Sequence, residues 1–125
     1  MHINLSDSEW RLMNRLWDRS PMTIMELTAS FREDTGWSKN TVITMLSRLE
    51  SKGAVRYEEA GRAKRYFPAV AREDAALTET ENFLEKVYGG SLGLMMSAMV
   101  ESRALTEAEI AELSAILERA GEERT

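Results

Sequence analysis

Apolar residues recur along the chain with a helical period that glycine and proline interrupt at a few points. Trp10, Met13, Leu16 and Trp17 fall at i, i+3, i+6 and i+7, one face of a helix. Ahead of them Ser6 and Glu9 have the spacing of a capping box. Ser20-Pro21 ends this pattern, because the residue before a proline is pushed out of the α region. A second box, Thr23 to Glu26, opens a short helix with Leu27 and Phe31 one turn apart on its inner side, and Gly36 permits a tight turn after it. Ser38 suits the N-cap of a third helix running to about Lys52. In that helix Val42, Leu46 and Leu49 sit at i, i+4 and i+7, Met45 widens the stripe, and Gly53 closes it.

Beyond Gly53 the period changes. Ala54 to Glu59 and Ala63 to Pro68 are short β-branched and aromatic runs around Ala60-Gly61-Arg62, a hairpin signal. Pro68 ends the second strand or marks it as an edge. Residues from about Arg72 to Tyr88 predict one long helix, with Leu77, Leu84, Val87 and Tyr88 as contacts, stopped by Gly89-Gly90. Leu92, Met95, Met96, Met99 and Val100 then follow the i, i+3, i+4, i+7, i+8 rule. Thr106 to Glu109 is a third box before the stripe Ile110, Leu113, Ile116 and Leu117, and Gly121 is expected to begin a charged tail. The expected fold is mainly α with a small β hairpin: a winged helix-turn-helix over residues 1–70, then a helical dimerisation domain over 71–125.

Charge sharpens this division. The formal net charge is −5. Residues 1–70 hold 11 Lys/Arg against 9 Asp/Glu, and residues 71–125 hold 5 against 12, so +2 and −7 make up the total. Between Ser38 and Arg65, seven cations (Lys39, Arg48, Lys52, Arg56, Arg62, Lys64, Arg65) face three acids (Glu50, Glu58, Glu59). A basic stretch in an acidic chain points to a polyanion partner for one half and another role for the other.

Several classes drop out. With no cysteine there is no disulfide, thiol nucleophile or thiolate metal site, and the one histidine, His2, leaves no Ser/His/Asp triad or histidine cluster. Glu58-Glu59, the nearest thing to a carboxylate pair, sits on a hairpin without a cleft, so no enzyme, small-molecule substrate or cofactor is expected. No apolar run reaches 18 residues, and Met1 to Leu5 is too short and polar for a signal peptide. The expectation is a cytoplasmic protein without membrane insertion.

The third helix carries the candidate chemistry. Its outer face presents Asn40, Thr41, Thr44, Ser47, Arg48 and Ser51, almost free of carboxylates. A major groove about 12 Å wide admits one such helix, whose N-terminal residues meet the base edges. Short amides and hydroxyls can bond bases there or touch a thymine methyl, Arg48 can reach a guanine edge or a phosphate, and Arg62, Lys64 and Arg65 on the wing would track the backbone. The same module also serves as a protein-interaction adaptor, and that alternative stays open on pattern alone. The C-terminal stripes must be covered, by a second copy or by folding back on the first module.

At these residues the chain resembles a known family. Gly36-Trp37-Ser38-Lys39-Asn40-Thr41-Val42, Leu46-Ser47-Arg48-Leu49, Lys52-Gly53, Gly61-Arg62-Ala63, Tyr66-Phe67-Pro68, Phe83-Leu84 and Tyr88-Gly89-Gly90-Ser91 together look like the signature of the BlaI/MecI/CopY penicillinase-type repressors, over about Leu5 to Leu117. The resemblance implies a homodimeric transcriptional repressor on a pseudo-palindromic TACA/TGTA-type operator in double-stranded DNA, controlling a resistance or stress operon. It implies recognition contacts at Lys39, Asn40, Thr41, Thr44 and Arg48 and wing contacts at Arg62 and Lys64. It also implies a dimer interface built from Leu84, Tyr88, Leu92, Met95, Met96, Met99, Ile110, Leu113 and Leu117. Trp37 stays open between a buried brace and a phosphate-contacting indole.

Two departures concern release from DNA. The copper-responsive branch has a cysteine-rich metal site, which this chain lacks. The β-lactam-responsive branch is cut at an Asn-Phe bond by a membrane-bound sensor protease; counted from Gly89-Gly90-Ser91, the matching pair here is Ala98-Met99. Asn82-Phe83 does occur, but it matches a packing position on the preceding helix.

Overall fold

The computed structural model describes residues 3–124, so His2 lies outside it. Its elements are α1 (Asp7–Asp18), α2 (Ile24–Phe31), α3 (Lys39–Ser51), β1 (Val55–Ala60), β2 (Ala63–Pro68), α4 (Arg72–Tyr88), α5 (Leu92–Glu101) and α6 (Glu107–Arg124), the mainly α fold with one hairpin that the sequence predicts. The chain divides into two compact units, Met1–Thr80 and Glu81–Thr125, the division falling within α4.

In the first unit each of the first three helices starts where its cap dictates. The Ser6 hydroxyl accepts from the Glu9 N–H at 3.2 Å while Glu9 Oε1 accepts from the Ser6 N–H at 2.7 Å. Thr23 and Glu26 repeat this exchange at 3.1 and 3.0 Å. Each box satisfies two of the amide donors that a helix start leaves without partners. After α2, Gly36 at φ +68° donates its N–H to the Phe31 carbonyl at 2.9 Å, a left-handed closure that favours glycine.

One core joins α1, α2, α3 and the hairpin. Leu12, Met13, Leu16, Leu27, Phe31, Val42 and Leu49 are fully buried, with Met45, Leu46, Val55 and Tyr66 close behind. Polar ties fix the periphery. The Arg15 guanidinium lies 4.1 Å over the Phe31 ring and donates to the Ser30 carbonyl and to Asp34, both at 2.7 Å. The Trp17 indole N–H donates to the Val70 carbonyl at 2.9 Å, and Arg72 meets Asp18 at 2.6 Å, which holds the start of α4 against α1.

The hairpin pairs antiparallel from Val55↔Pro68 to Ala60↔Ala63. Gly61, first of the two turn residues, lies at φ +67°, the left-handed region that mirror-image hairpin turns need. Met22 exchanges backbone bonds with Tyr66 at 3.2 and 2.9 Å, so the link between α1 and α2 holds the wing in place.

The second unit contains the rest of α4, α5 and α6. Ser91 caps α5 by accepting from the Leu94 N–H at 3.1 Å, and Thr106 and Glu109 form the box that opens α6. The charged tail expected from Gly121 is instead the last turn of α6, which continues to Arg124. A glycine inside a helix costs only about 1 kcal/mol relative to alanine, and the good helix formers around it, Glu118, Arg119, Ala120 and Glu122, outweigh that. No residue of α5 or α6 is buried. No helix among the described residues is long and apolar enough to cross a membrane.

Candidate nucleic-acid interface

Helix α3 is held from behind and open in front. Val42, Met45, Leu46 and Leu49 anchor it in the core, while Lys39, Asn40, Thr41, Thr44, Ser47 and Arg48 are all exposed. Its N-cap is satisfied internally, with the Ser38 hydroxyl accepting from the Thr41 N–H at 3.2 Å. The first turn carries no acidic residue, so the positive end of the helix dipole faces outward without a carboxylate to oppose an approaching anion. The Thr44 hydroxyl donates to the Asn40 carbonyl at 2.9 Å, which leaves its oxygen as an acceptor toward a base. Trp37 is half-buried, its ring centroid 4.4 Å from that of buried Phe31. Of its two readings this is the geometry of a brace beneath the start of α3.

Two open concavities border the helix and sort the residues read from the sequence. Lys39, Arg62 and Lys64 line one of about 450 Å³, between the starts of α2 and α3 and the wing. Asn40, Thr41, Thr44 and Arg48 line the other, of about 320 Å³. The residues expected to meet DNA are therefore brought together on one side of the first unit.

The cations divide by how they are engaged. Among the described residues the side chains of Lys39, Arg48 and Arg62 make no hydrogen bond or ion pair, and Lys64 Nζ sits 4.2 Å over the Tyr57 ring. Two of the seven cations counted in the basic stretch have other partners. Arg56 pairs with Glu58 at 3.1 Å and stacks 4.3 Å over Phe67. Lys52, at the C-cap of α3, reaches Glu9 Oε1 at 2.6 Å and the Asn4 carbonyl at 2.7 Å. Burial works to raise the Glu9 pKa, but the bonds from Lys52 and from the backbone and hydroxyl of Ser6 outweigh it and hold the carboxyl below its ordinary value. Lys52 thus ties the end of α3 to the start of α1, a fixing role that spacing alone did not reveal.

Sequence reasoning also missed Ile43 and Met25, which line the larger concavity and are 40% and 74% exposed. The available signal was phase: Ile43 lies off the Val42-Leu46-Leu49 stripe and shares the face of Asn40 and Ser47.

In the second unit Leu84 and Tyr88 lie on α4, Leu92, Met95, Met96 and Met99 on α5, and Ile110, Leu113 and Leu117 on α6. Leu84, Tyr88, Met95, Met96, Met99 and Leu113 are half-buried; Leu92, Ile110 and Leu117 are exposed. Ala98-Met99 falls in the C-terminal half of α5, with Ala98 exposed.

Known proteins resemble this chain in both units. The penicillinase repressor of Bacillus licheniformis is 33% identical, covering 91% of this chain and 89% of its own length. The methicillin resistance regulatory protein MecI of Staphylococcus aureus (strain N315) is 28% identical over 92% of this chain and 94% of its own. The solved structure of monomeric Bacillus licheniformis BlaI in complex with the blaP half-operator superposes with a TM-score of 0.51 at 32% identity, covering 57% of this chain and 87% of that one. The penicillinase repressor family model matches residues 5–119, from just ahead of the first cap to well inside α6, and the chain belongs to that family.

Proposed function

We propose that this chain represses transcription by binding double-stranded operator DNA as a homodimer, and that it acts by occupying DNA rather than by catalysis. Lys39, Asn40, Thr41, Thr44 and Arg48 enter the major groove on α3, and Arg62 and Lys64 follow the backbone from the wing. The observation that carries this reading is the set of outward cations on and beside α3, Lys39, Arg48 and Arg62, whose side chains make no hydrogen bond or ion pair among the described residues, next to a helix start free of acids. Its family relative BlaI, solved on a half-operator, supports it. Residues 1–70 serve as the reading domain and residues 71–125 as the dimerisation domain. A two-fold dimer sets two α3 helices against the half-sites of a dyad of the TACA/TGTA type.

The experiment is selection of bound duplexes from a random pool, followed by titration of the winning dyad at several salt concentrations. Log affinity falls steeply with log salt, by about 0.9 for each phosphate neutralised. Arg48→Ala weakens binding by about 1–3 kcal/mol per half-site and relaxes preference at one position of each, whereas Arg62→Ala lowers the salt slope by about 1 per protomer with little change in sequence preference. Enrichment of no dyad would overturn the proposal, and a protein captured through an intact Thr44 and Arg48 surface would favour the adaptor role.

Release follows loss of the dimer. Cleavage between Ala98 and Met99 by a membrane-bound sensor protease would separate the last three residues of α5 and all of α6 from the reading domain. Ala98 is exposed in the single chain, and a protease would need α5 to unwind locally around it. Mass spectrometry of the chain from induced cells is expected to find a fragment ending at Ala98; full-length chain throughout induction would point to another route of dimer loss.

A further inference from the structure

The outward face of α3 bears one residue that neither charge nor hydrogen bonding explains. Ile43 is 40% exposed and follows Lys39 and Asn40 by one turn. The core side of the helix is already filled by Val42, Met45, Leu46 and Leu49, at most 5% exposed. Isolated apolar residues on a surface are ordinary, but Ile43 is not isolated. It shares the concavity of about 450 Å³ with Met25, while Lys39, Arg62 and Lys64 line the same hollow. An apolar floor among cations that make no hydrogen bond or ion pair among the described residues fits a ligand with a small apolar group close to anionic ones.

From this we infer that Ile43 is a specificity-determining residue that reads the 5-methyl group of a thymine, an assignment that rests on the proposed DNA-binding function. Isoleucine has neither donor nor acceptor, and the methyl of thymine is the one apolar group on the major-groove edges of the four bases. The position suits this reading. At 1.5 Å rise per residue Ile43 stands about 6 Å along the axis from Lys39 and about 7.5 Å before Arg48, within the half of a recognition helix that meets bases. The neighbouring Thr44 hydroxyl donates to its own helix, so at this level of α3 the methyl contact, rather than a hydroxyl donor, discriminates the base. Cytosine presents a hydrogen where thymine has its methyl, and uracil differs from thymine by that methyl alone.

The test uses the full-length chain and the dyad it selects from random DNA. Failure to select any dyad would overturn the DNA-binding function itself, before Ile43 is in question. With a dyad in hand, each thymine is replaced in turn by deoxyuridine and the affinity is measured by fluorescence anisotropy at fixed salt. Burying one methyl-sized group predicts about fourfold weaker binding per half-site at one thymine position. Ile43→Ala should bind the thymine and uracil duplexes alike at that position, while Ile43→Val keeps most of the difference. The thymine-to-uracil ratio is taken within each variant, so partial loss of folding cancels. The inference is overturned if uracil is tolerated at every position by the unaltered chain, or if Ile43→Ala discriminates as the unaltered chain does. An equal loss for Met25→Ala with none for Ile43→Ala would overturn it as well.

Discussion

Leu12, Met13, Leu16, Leu27, Phe31 and Leu49 are completely enclosed in the first unit, whereas Leu92, Leu94, Val100, Ile110, Ile116 and Leu117 of the second stand 43–66% exposed. The two stretches have similar apolar patterns, so the difference lies in what each pattern can bury. Three helices and a hairpin enclose a core within a single chain. Short helices with single stripes are marginal in water until something covers them. Under the proposed function the reading domain would be complete before DNA arrives and the second unit would depend on a second copy, which would make it the place where a signal acts by mass action.

The largest effect expected is in the first core. Phe31 packs under Trp37 and Arg15 and supports both α2 and the entry to α3, so Phe31→Ala should destabilise the first unit by about 3–5 kcal/mol. Trp10, Trp17 and Trp37 all lie in that unit, so urea unfolding followed by tryptophan fluorescence reports it selectively. A loss below about 1 kcal/mol would break the contrast, because the core would then not be what holds this unit together.

The counterpart in the second unit is Leu117→Ala. Burying a leucine contributes roughly 1.5–3 kcal/mol, and a two-fold interface counts each side chain twice, so the dimer dissociation constant should rise by about 100-fold or more. Sedimentation over a concentration series checks this, with the tryptophan-detected midpoint unchanged. An unchanged dimer would leave the exposed stripe of α6 without a role.

Two caps of the same chemistry sharpen the comparison further. Ser38 accepts from Thr41 at the start of α3 and Ser91 from Leu94 at the start of α5. Alanine at either should cost about 1 kcal/mol of helix stability. In the first unit that loss appears in the urea midpoint and in DNA affinity; in the second it appears as weaker dimerisation. Matching readouts from both would contradict the separation of roles.

What the sequence made legible follows the same line. Local chemistry carried well: the boxes at Ser6/Glu9, Thr23/Glu26 and Thr106/Glu109 lie within four residues, and each opens the helix it predicts. Long-range partners did not. Glu9 reads as a cap alone, and its second role, holding Lys52 from 43 residues away, exists only in the folded chain. Lys52 and Arg56 therefore counted toward a basic patch in which they have other partners. Ile43 escaped because an apolar residue beside a core stripe is ordinarily assigned to the core, and only packing shows which side of α3 is already full. Gly121 misled in the opposite direction, a local breaker overridden by the helix formers around it.

The smallest expected effect is with acid, and it too divides the units. Glu9 is 2% exposed, takes its proton less readily in the folded chain than at its ordinary value of 4.5, and has a second oxygen, Oε2, without a partner. The unfolded chain therefore holds more protons as acid is added, and acid favours it. The contribution is complete above the unfolded value and is lost as pH falls through the lower folded one. Burial and the orphaned oxygen offset much of what Lys52 contributes, and Lys52 is 39% exposed to screening solvent, so the effect should be modest. Glu109 is also held low, by the Thr106 amide and hydroxyl, but it is exposed and its stabilisation is screened. The tryptophan-detected urea midpoint should thus fall below about pH 4.5. Glu9→Gln, which keeps the shape and a cap acceptor, should flatten that fall, and Glu109→Gln should leave it unchanged. An equally steep fall in Glu9→Gln would place the acid sensitivity elsewhere and deprive the Glu9–Lys52 tie of its part in holding α3.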